Sequence, residues 1–392
     1  MSTIQANLIE PSSGTTVTFG ASGDTVALGT GAGVNFRSSR NMIINGNMQV
    51  AQRGTSSTDA GYKTVDRFQV SVSGLDEDVT QAQHALTSSD TGPWAKGFRN
   101  SYHITNGNQT SGAGAADRVC FQYRSEAQDI DNSGWDYTSG SSYITLSFWI
   151  KSSVAQNFYG RLETMDGTQQ GYAFETGSLS ADTWTKITKT IPGNSNITFD
   201  NDANNGLIIE IVAFRGTDKT GSMSLDTWAA YNSAVRVPDM TSTWFTTDDA
   251  TFEITGVQLE VGSTATPFEN KSYGQELEAC QRYCQKLHGE VTNSMVSMQL
   301  CYSTTGSEGV LYYSKKRVAP TITQYSAGAT GWYLHYENTS SVVSAVPTFD
   351  SIDSTTCRIT ALIAATSLQV GEAAYLRTGN AADSYIMVDA EL

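Results

Sequence analysis

Charge is scarce in this chain. Only 16% of the 392 residues are charged, well under the usual ~25%. Among them 24 Lys and Arg face 39 Asp and Glu. The net charge of −15 argues against a nucleic-acid partner, because phosphate binding needs a surplus of cations. Long apolar runs are missing as well. No stretch of 18 hydrophobic residues occurs, so no membrane insertion is expected. The opening MSTIQANLIEPSSG has neither the basic nor the apolar region of a secretory signal. Cysteine is limited to Cys120, Cys280, Cys284, Cys301 and Cys357, an odd number at irregular spacing, which fits reduced thiols better than a disulfide framework. The four histidines (His84, His103, His288, His335) fall in no motif, and no nucleophile elbow, zincin, Walker or dinucleotide pattern exists. A non-enzymatic protein is expected.

Neutral polar residues fill the gap. There are 48 Thr and 44 Ser beside 35 Gly. The 7 Trp, 18 Tyr and 14 Phe are too many for a disordered chain. Thr, Tyr and Trp favour pleated sheet, whereas Ser, Gly and Asn favour turns. The expected fold class is therefore all-β, organised as an N-terminal β-repeat shaft (1–40), a jelly-roll sandwich (41–270), a linking helix (271–289) and a C-terminal β domain (290–392).

The shaft follows from a nine-residue repeat. Gly14–Gly20 (GTTVTFG) recurs as Gly23–Gly29 (GDTVALG), aligning Val17 with Val26 and Phe19 with Leu28. One such strand pair buries almost nothing by itself. Val17, Phe19, Val26 and Leu28 are expected to meet their copies around a trimer axis.

From Asn41 to Glu269 the chain runs in short alternating segments between Gly, Ser, Asn and Asp clusters. Ile144, Leu146, Phe148 and Ile150 fall on one face of a strand, opposite Thr145, Ser147 and Trp149. Leu207–Phe214 (LIIEIVAF) reads as a central strand covered on both sides. The apolar phase of Phe252 and Ile254 flips to Val257, Leu259 and Val261, and Gly256 at the switch predicts a β-bulge. Seven or more such strands argue for an antiparallel sandwich, a jelly roll.

Two stretches carry a family resemblance. NMIINGNMQVAQRGT (Asn41–Thr55) with Val65-Asp-Arg-Phe68 opens the module, and FEITGVQLEVG (Phe252–Gly262), TPFE (Thr266–Glu269) and YGQELEACQRYCQ (Tyr273–Gln285) close it. Together they resemble a jelly-roll module of tail-fibre and receptor-binding proteins of tailed bacteriophages. TLSFWIKSS and Asp182–Lys186 resemble strands of carbohydrate-binding jelly rolls, and the nine-residue repeats resemble shaft segments in fibres of marine phages. The resemblance covers residues 1 to about 290. It implies a homotrimer that attaches to phage tail or baseplate proteins through its N-terminus and meets host surface polysaccharide at its C-terminus. The matching residues read as scaffold, so no binding site comes with them.

Ser272 caps an expected helix running to Leu287 or His288. Tyr273, Leu277, Cys280, Cys284 and Leu287 are spaced 4, 3, 4, 3, an a/d seam. The seam either packs on the sandwich or forms a three-helix junction around the axis. Beyond it, Val310–Tyr313, Thr321–Tyr325, Trp332–Tyr336, Cys357–Ala364 and Ser384–Val388 read as strands, and KKRVAPT (Lys315–Thr321) is the clearest basic cluster.

Sugar binding needs aromatic faces beside hydrogen-bonding side chains. Trp135 and Tyr137 lie in a polar loop, and Trp332, Tyr333, His335 and Tyr336 form a second cluster in which alternation lets only half point outward. Trp94 and Trp149 are further candidates. Asp129 and Asp131 begin a partial Ca²⁺ loop that lacks its closing Glu, Gly140 standing there; no other cofactor is expected. Acids such as Glu163 and Asp166 could pair for glycoside hydrolysis, whereas Glu163 and Glu175 are as easily solvated edge charges of strands. The reading that gathers these features is a virion protein, a trimeric tail fibre that binds host glycan during adsorption. A capsid fibre or decoration protein, a polysaccharide-degrading tailspike and a free lectin are the alternatives.

Overall fold

In a computed structural model, residues 40–288, 293–326, 331–337, 339–379 and 384–392 are described. They belong to one compact unit spanning residues 39–392. The repeat residues Val17, Phe19, Val26 and Leu28 lie outside the described residues.

The sandwich is built from β1 (Ser56–Ser57), β2 (Phe68–Ser73), β3 (Thr80–Ala85), β4 (Asn100–Thr105), β5 (Arg118–Glu126), β6 (Tyr143–Ser152), β7 (Asn157–Thr164), β8 (Gln170–Ser178), β9 (Thr185–Pro192), β10 (Asn205–Arg215), β11 (Trp228–Ala230) and β12 (Thr251–Val261). Two six-stranded antiparallel sheets result. Sheet A runs β1-β3-β4-β12-β6-β9, and sheet B runs β11-β8-β7-β10-β5-β2. The crossed order of sequence neighbours is that of a jelly roll. The inward-facing Ile144, Leu146, Phe148 and Ile150 of β6 are all buried in the shared core with Phe121, Phe158, Phe174 and Phe252. Strand β10 is central, paired to β5 and β7 over most of its length, as its continuous apolar run requires. The β6–β12 register slips between Thr255 and Gln258. Gly256 sits there at φ +64°, and a Cβ on it would lie 2.6 Å from the Phe98 ring, so both backbone and packing demand glycine.

The helix is shorter than expected. Helix α1 (Ala127–Asp131) follows β5, and α2 (Tyr273–Gln281) follows the sandwich with Ser272 and Gln275 forming a reciprocal capping box. After Gln281 the chain turns, and Cys284–Leu287 becomes β13. Its partner is the C-terminal strand, β22 (Tyr385–Asp389). Four paired residues, burial of Cys284 against Met387 and the ammonium of Lys286 over the Tyr385 ring outweigh two more helical turns. The expected a/d seam is thereby corrected. Cys280 and Cys284 are buried inside their own chain, Tyr273 is exposed, Leu277 is half-buried, and Leu287 packs on the C-terminal core. No continuous helical stripe faces outward.

The C-terminal part adds β14 (Met295–Cys301), β15 (Gly306–Tyr312), β16 (Thr321–Tyr325), β17 (Trp332–Tyr336), β18 (Thr339–Val342), β19 (Thr348–Asp350), β20 (Thr356–Leu362) and β21 (Ala373–Thr378). A seven-stranded sheet, β18-β17-β21-β14-β15-β20-β19, lies with the three-stranded sheet β13-β22-β16 around a second core of Leu334, Ile359, Leu376, Ile386 and Val388. All five C-terminal strands expected from alternation are present.

The two cores meet at a polar seam built from the motifs that open and close the sandwich. Arg67 is fully buried, stacked 3.4 Å over the Tyr283 ring and ion-paired to Glu391. Arg53 bonds Asp389 at 2.8 Å, Arg124 donates to the Leu392 carbonyl, and Arg282 grips Glu126 with both arms of its guanidinium. Two residues of the basic cluster, Lys316 and Arg317, are part of this seam, while Lys315 is exposed. Lys316 is 1% exposed and donates to the Gln281 carbonyl, and Arg317 donates to three carbonyls, those of Ala203, Ala390 and Glu391. Those motifs are thus scaffold in the plainest sense. No helix among the described residues is long and apolar enough to cross a membrane.

Candidate functional site

Alternation sends every second residue of sheet B away from the core. On β2, β5, β10, β7 and β8 the outward positions come into register as Gln69, Gln122, Glu210, Arg161 and Ala173. The result is a polar row running across the strands. Glu210 accepts from Gln122, from Arg161 Nε at 3.0 Å and from Arg215, and Arg161 also pairs with Glu163. Burial alone would raise the Glu210 carboxyl; the two guanidiniums outweigh it and hold the group well below the usual carboxylate range. Glu163, half of a proposed catalytic pair, is no solvated edge charge but a buried partner of Arg161.

One end of the row opens into a cavity of ≈ 330 Å³ between β7, β8, β11 and the segment 222–236. Arg161 forms part of its floor, Gly171 and Ala173 leave the floor low, and Met223, Tyr231 and Arg236 stand in its walls. An added Cβ at Gly171 would meet nothing within 4 Å. The Arg236 guanidinium lies 5.4 Å from the centre of the Tyr231 ring, and its Nε is buried with no hydrogen-bond partner in the chain. This pocket therefore combines an aromatic ring with an oriented cation, whose Nε is itself covered. That chemistry accepts a hydroxylated or anionic ligand of one or two ring units.

The sequence candidates fall elsewhere. Trp135 is 3% exposed, a core residue whose Nε1 donates to the Ser142 carbonyl. Tyr137 packs edge-on against Phe199 at 4.9 Å and donates to Asp131. This pair is corrected from a stacking platform to a loop anchor, because folding the polar loop back over the sandwich buries Trp135 and half-buries Tyr137. Asp129 and Asp131 lie on α1, where two residues of helix turn side chains some 200° apart. A Ca²⁺ loop needs extended spacing between these ligands, so the pair does not converge. On β17 the alternation holds. Trp332, Leu334 and Tyr336 point into the core, correcting Trp332 and Tyr336 as glycan contacts, whereas Tyr333 and His335 point outward. These outward rings are already engaged: His335 lies 4.7 Å from the Tyr375 ring and the Arg377 guanidinium covers Tyr333. Trp149 carries Gly92 close on its face, and Trp94 is stacked by Arg99 at 3.8 Å.

Arg161, Glu210 and Arg236 were missed. One signal existed: a Glu at the centre of LIIEIVAF, a strand expected to be buried on both sides, must have a cationic partner. Its identity is not local, since Arg161 is 49 residues away.

No protein-family model matches the chain, and no curated protein matches it by sequence. Solved structures do show similarity. A putative sugar-binding protein from Bacteroides thetaiotaomicron matches 57% of this chain over its own full length, at 11% identity and a TM-score of 0.31. The N-terminal cellulose-binding domain of a Cellulomonas fimi β-1,4-glucanase matches 55% of the chain and 99% of itself, at 10% identity and 0.27. The enzymatically active domain of tailspike protein 4 from bacteriophage CBA120 matches 57% of this chain but only 22% of its own length, at 11% identity and 0.30. At such values none of them assigns a ligand or a residue role here.

Proposed function

We propose that this protein is a non-enzymatic virion component, a homotrimeric phage tail fibre whose sandwich binds a host surface polysaccharide. The observation that carries the binding reading is the cavity at the end of the Gln69–Gln122–Glu210–Arg161 row, with Tyr231 and the Arg236 guanidinium in its wall. Ion pairing fixes the floor before any ligand arrives, which lowers the cost of ordering it on binding. A sugar ring would stack on Tyr231 while its hydroxyls reach Arg161 and Arg236.

Catalysis finds no support in this row. Glycoside hydrolysis needs one carboxyl kept protonated as a general acid, and Glu210 is held ionised. Assembly is supported by the outward face of the seven-stranded sheet, where Met298, Leu300, Val310 and Tyr312 are exposed around one depression. Contiguous apolar area of this kind marks a contact surface, and copies of the same chain are the occupant that the N-terminal repeat independently calls for. Three weak sites held together would gain avidity by effective concentration.

Incubating the full chain with host polysaccharide and with host cells tests the reading. Retention on both without release of oligosaccharides is expected; released oligosaccharides would replace it with the tailspike alternative, and no retention on either would remove the glycan.

A further inference from the structure

The outward face of sheet A carries a cluster that the glycan reading does not use. His103 on β4 stands directly opposite Glu253 on β12, and His84 on β3 lies one diagonal step away on the same face. The ligand atoms of these three side chains all lie within 4.8 Å of one another. His84 Nδ1 is 3.1 Å from one Glu253 oxygen, and His103 Nδ1 is 3.5 Å from the other. Ligands at ~2.0–2.1 Å around a tetrahedral zinc are separated by about 3.3 Å. Each imidazole thus already stands near that distance from the carboxylate, but from a different oxygen of it. Bringing one oxygen between the two rings takes a turn of the Glu253 carboxylate and a rotamer adjustment of His84, whose side chain is 49% exposed.

The surroundings prepare the site further. His103 Nε2 sits 3.0 Å from Thr105 Oγ1, which fixes the ring, while its Nδ1 is buried with no hydrogen bond. A bond from the far ring nitrogen to an outer partner is the usual way a ligating imidazole is oriented. Ser101 Oγ donates to Glu253 at 2.7 Å and holds the carboxylate. The one adverse neighbour is the Lys151 ammonium, 2.8 Å from Glu253. It also reaches Asp90 at 3.1 Å, so it can keep that partner, or the second Glu253 oxygen, when a cation arrives.

We infer that His84, His103 and Glu253 form a binding site for a borderline first-row divalent cation, Zn²⁺ foremost, with a fourth position open to solvent. Two imidazoles and one carboxylate select such an ion over Ca²⁺ or Mg²⁺, which take oxygen ligands.

The test is titration of the untagged, chelator-treated full chain with Zn²⁺ alone, followed by calorimetry and thermal melting, with Co²⁺ as an optical probe. One ion per chain, a raised melting temperature and a tetrahedral Co²⁺ visible spectrum are expected. His84→Ala, at an exposed position that leaves the core intact, weakens Zn²⁺ binding at least ~10-fold, and Thr105→Val does so by about 10-fold through ring orientation. Absence of binding with Zn²⁺ in large excess would overturn the inference. So would binding that survives unchanged in both His84→Ala and His103→Ala.

Discussion

The outward faces of the sandwich and of the seven-stranded C-terminal sheet obey the same alternation but differ in chemistry: the sandwich rows are polar, whereas the C-terminal sheet sets an exposed apolar group beside the Glu308–Arg358–Asp350 ion pairs. On sheet B the outward residues are Gln122, Glu210 and Arg161, each bonded to the next, and on sheet A they are His103, Glu253 and Lys151, where Lys151 pairs with Glu253 and His103 stands 3.5 Å from it. On the C-terminal sheet they include Met298 at 61% exposure and Tyr312 at 72%. There a depression of ≈ 610 Å³ is bounded by Leu287, Met298, Leu300, Val310 and Tyr312. A polar face satisfied by its own neighbours is complete in one chain and free to meet a sugar. An apolar face left open is complete only when something covers it. Water binds the first well and the second poorly, and the proposed ligand-binding and assembly surfaces follow that division.

Breaking the sandwich's charge pairing has the largest expected effect. Glu210→Gln leaves Arg215 buried without its counter-charge and Arg161 with Glu163 alone, and should cost about 3–5 kcal/mol in urea unfolding. A cost below ~1 kcal/mol would mean that the row is hydrated and not sealed.

Acidity sharpens the contrast next. Burial pushes the Asp66 carboxyl up to about 6, the Arg53 charge and Gln52 bonds only partly opposing it. The folded state therefore binds that proton more tightly than the unfolded one, so Asp66 makes the protein more stable as pH falls from about 7 toward 4. Glu210 and Glu253 have the opposite sign: their depressed carboxyls contribute stability that is lost as pH falls below ~4.5. In the C-terminal part, burial lowers Lys316 to about 8, so its contribution to stability grows as pH rises from 8 through ~10.4. Subtracting the stability–pH curves of Asp66→Asn and Lys316→Met from that of the wild type should leave a negative slope near pH 5 and a positive one near pH 9. Reversed slopes would refute the assignment.

The smallest effect on monomer stability, and the clearest on assembly, belongs to the apolar face. Met298→Asp with Tyr312→Ser removes nothing from a core and should change the stability of one chain by no more than about 0.5 kcal/mol. In sedimentation, the wild type should run near three times 42.2 kDa and the double variant well below it. A wild-type monomer would leave the open face unexplained.

Much of this was legible in the residues. Alternation located the strands of both cores, and the phase flip at Gly256 located the bulge, because both are local properties of the backbone. The end of α2 was not, since Cys284–Leu287 follows good helical spacing. A partner strand about 100 residues later takes it. Trp135 misled for the same reason. A tryptophan among Asp, Asn, Ser and Gly looks exposed until the loop folds back on Phe199 and the sandwich edge. The candidate site was least legible of all. Glu210 announced a partner within an apolar run, but Arg161, Tyr231 and Arg236 meet only through sheet registry and a loop.

Binding of host polysaccharide to two variants of the full chain tests the central claim most directly, one altered on each kind of surface. Tyr231→Ala with Arg236→Ala should lose at least ~10-fold in intrinsic affinity, the effect of about 1.4 kcal/mol, with the trimer intact. Met298→Asp with Tyr312→Ser should keep the intrinsic affinity of each site and lose only the avidity that the proposed trimer would add. Intact binding in the first variant and abolished intrinsic affinity in the second would contradict the account and move the glycan to the C-terminal sheet.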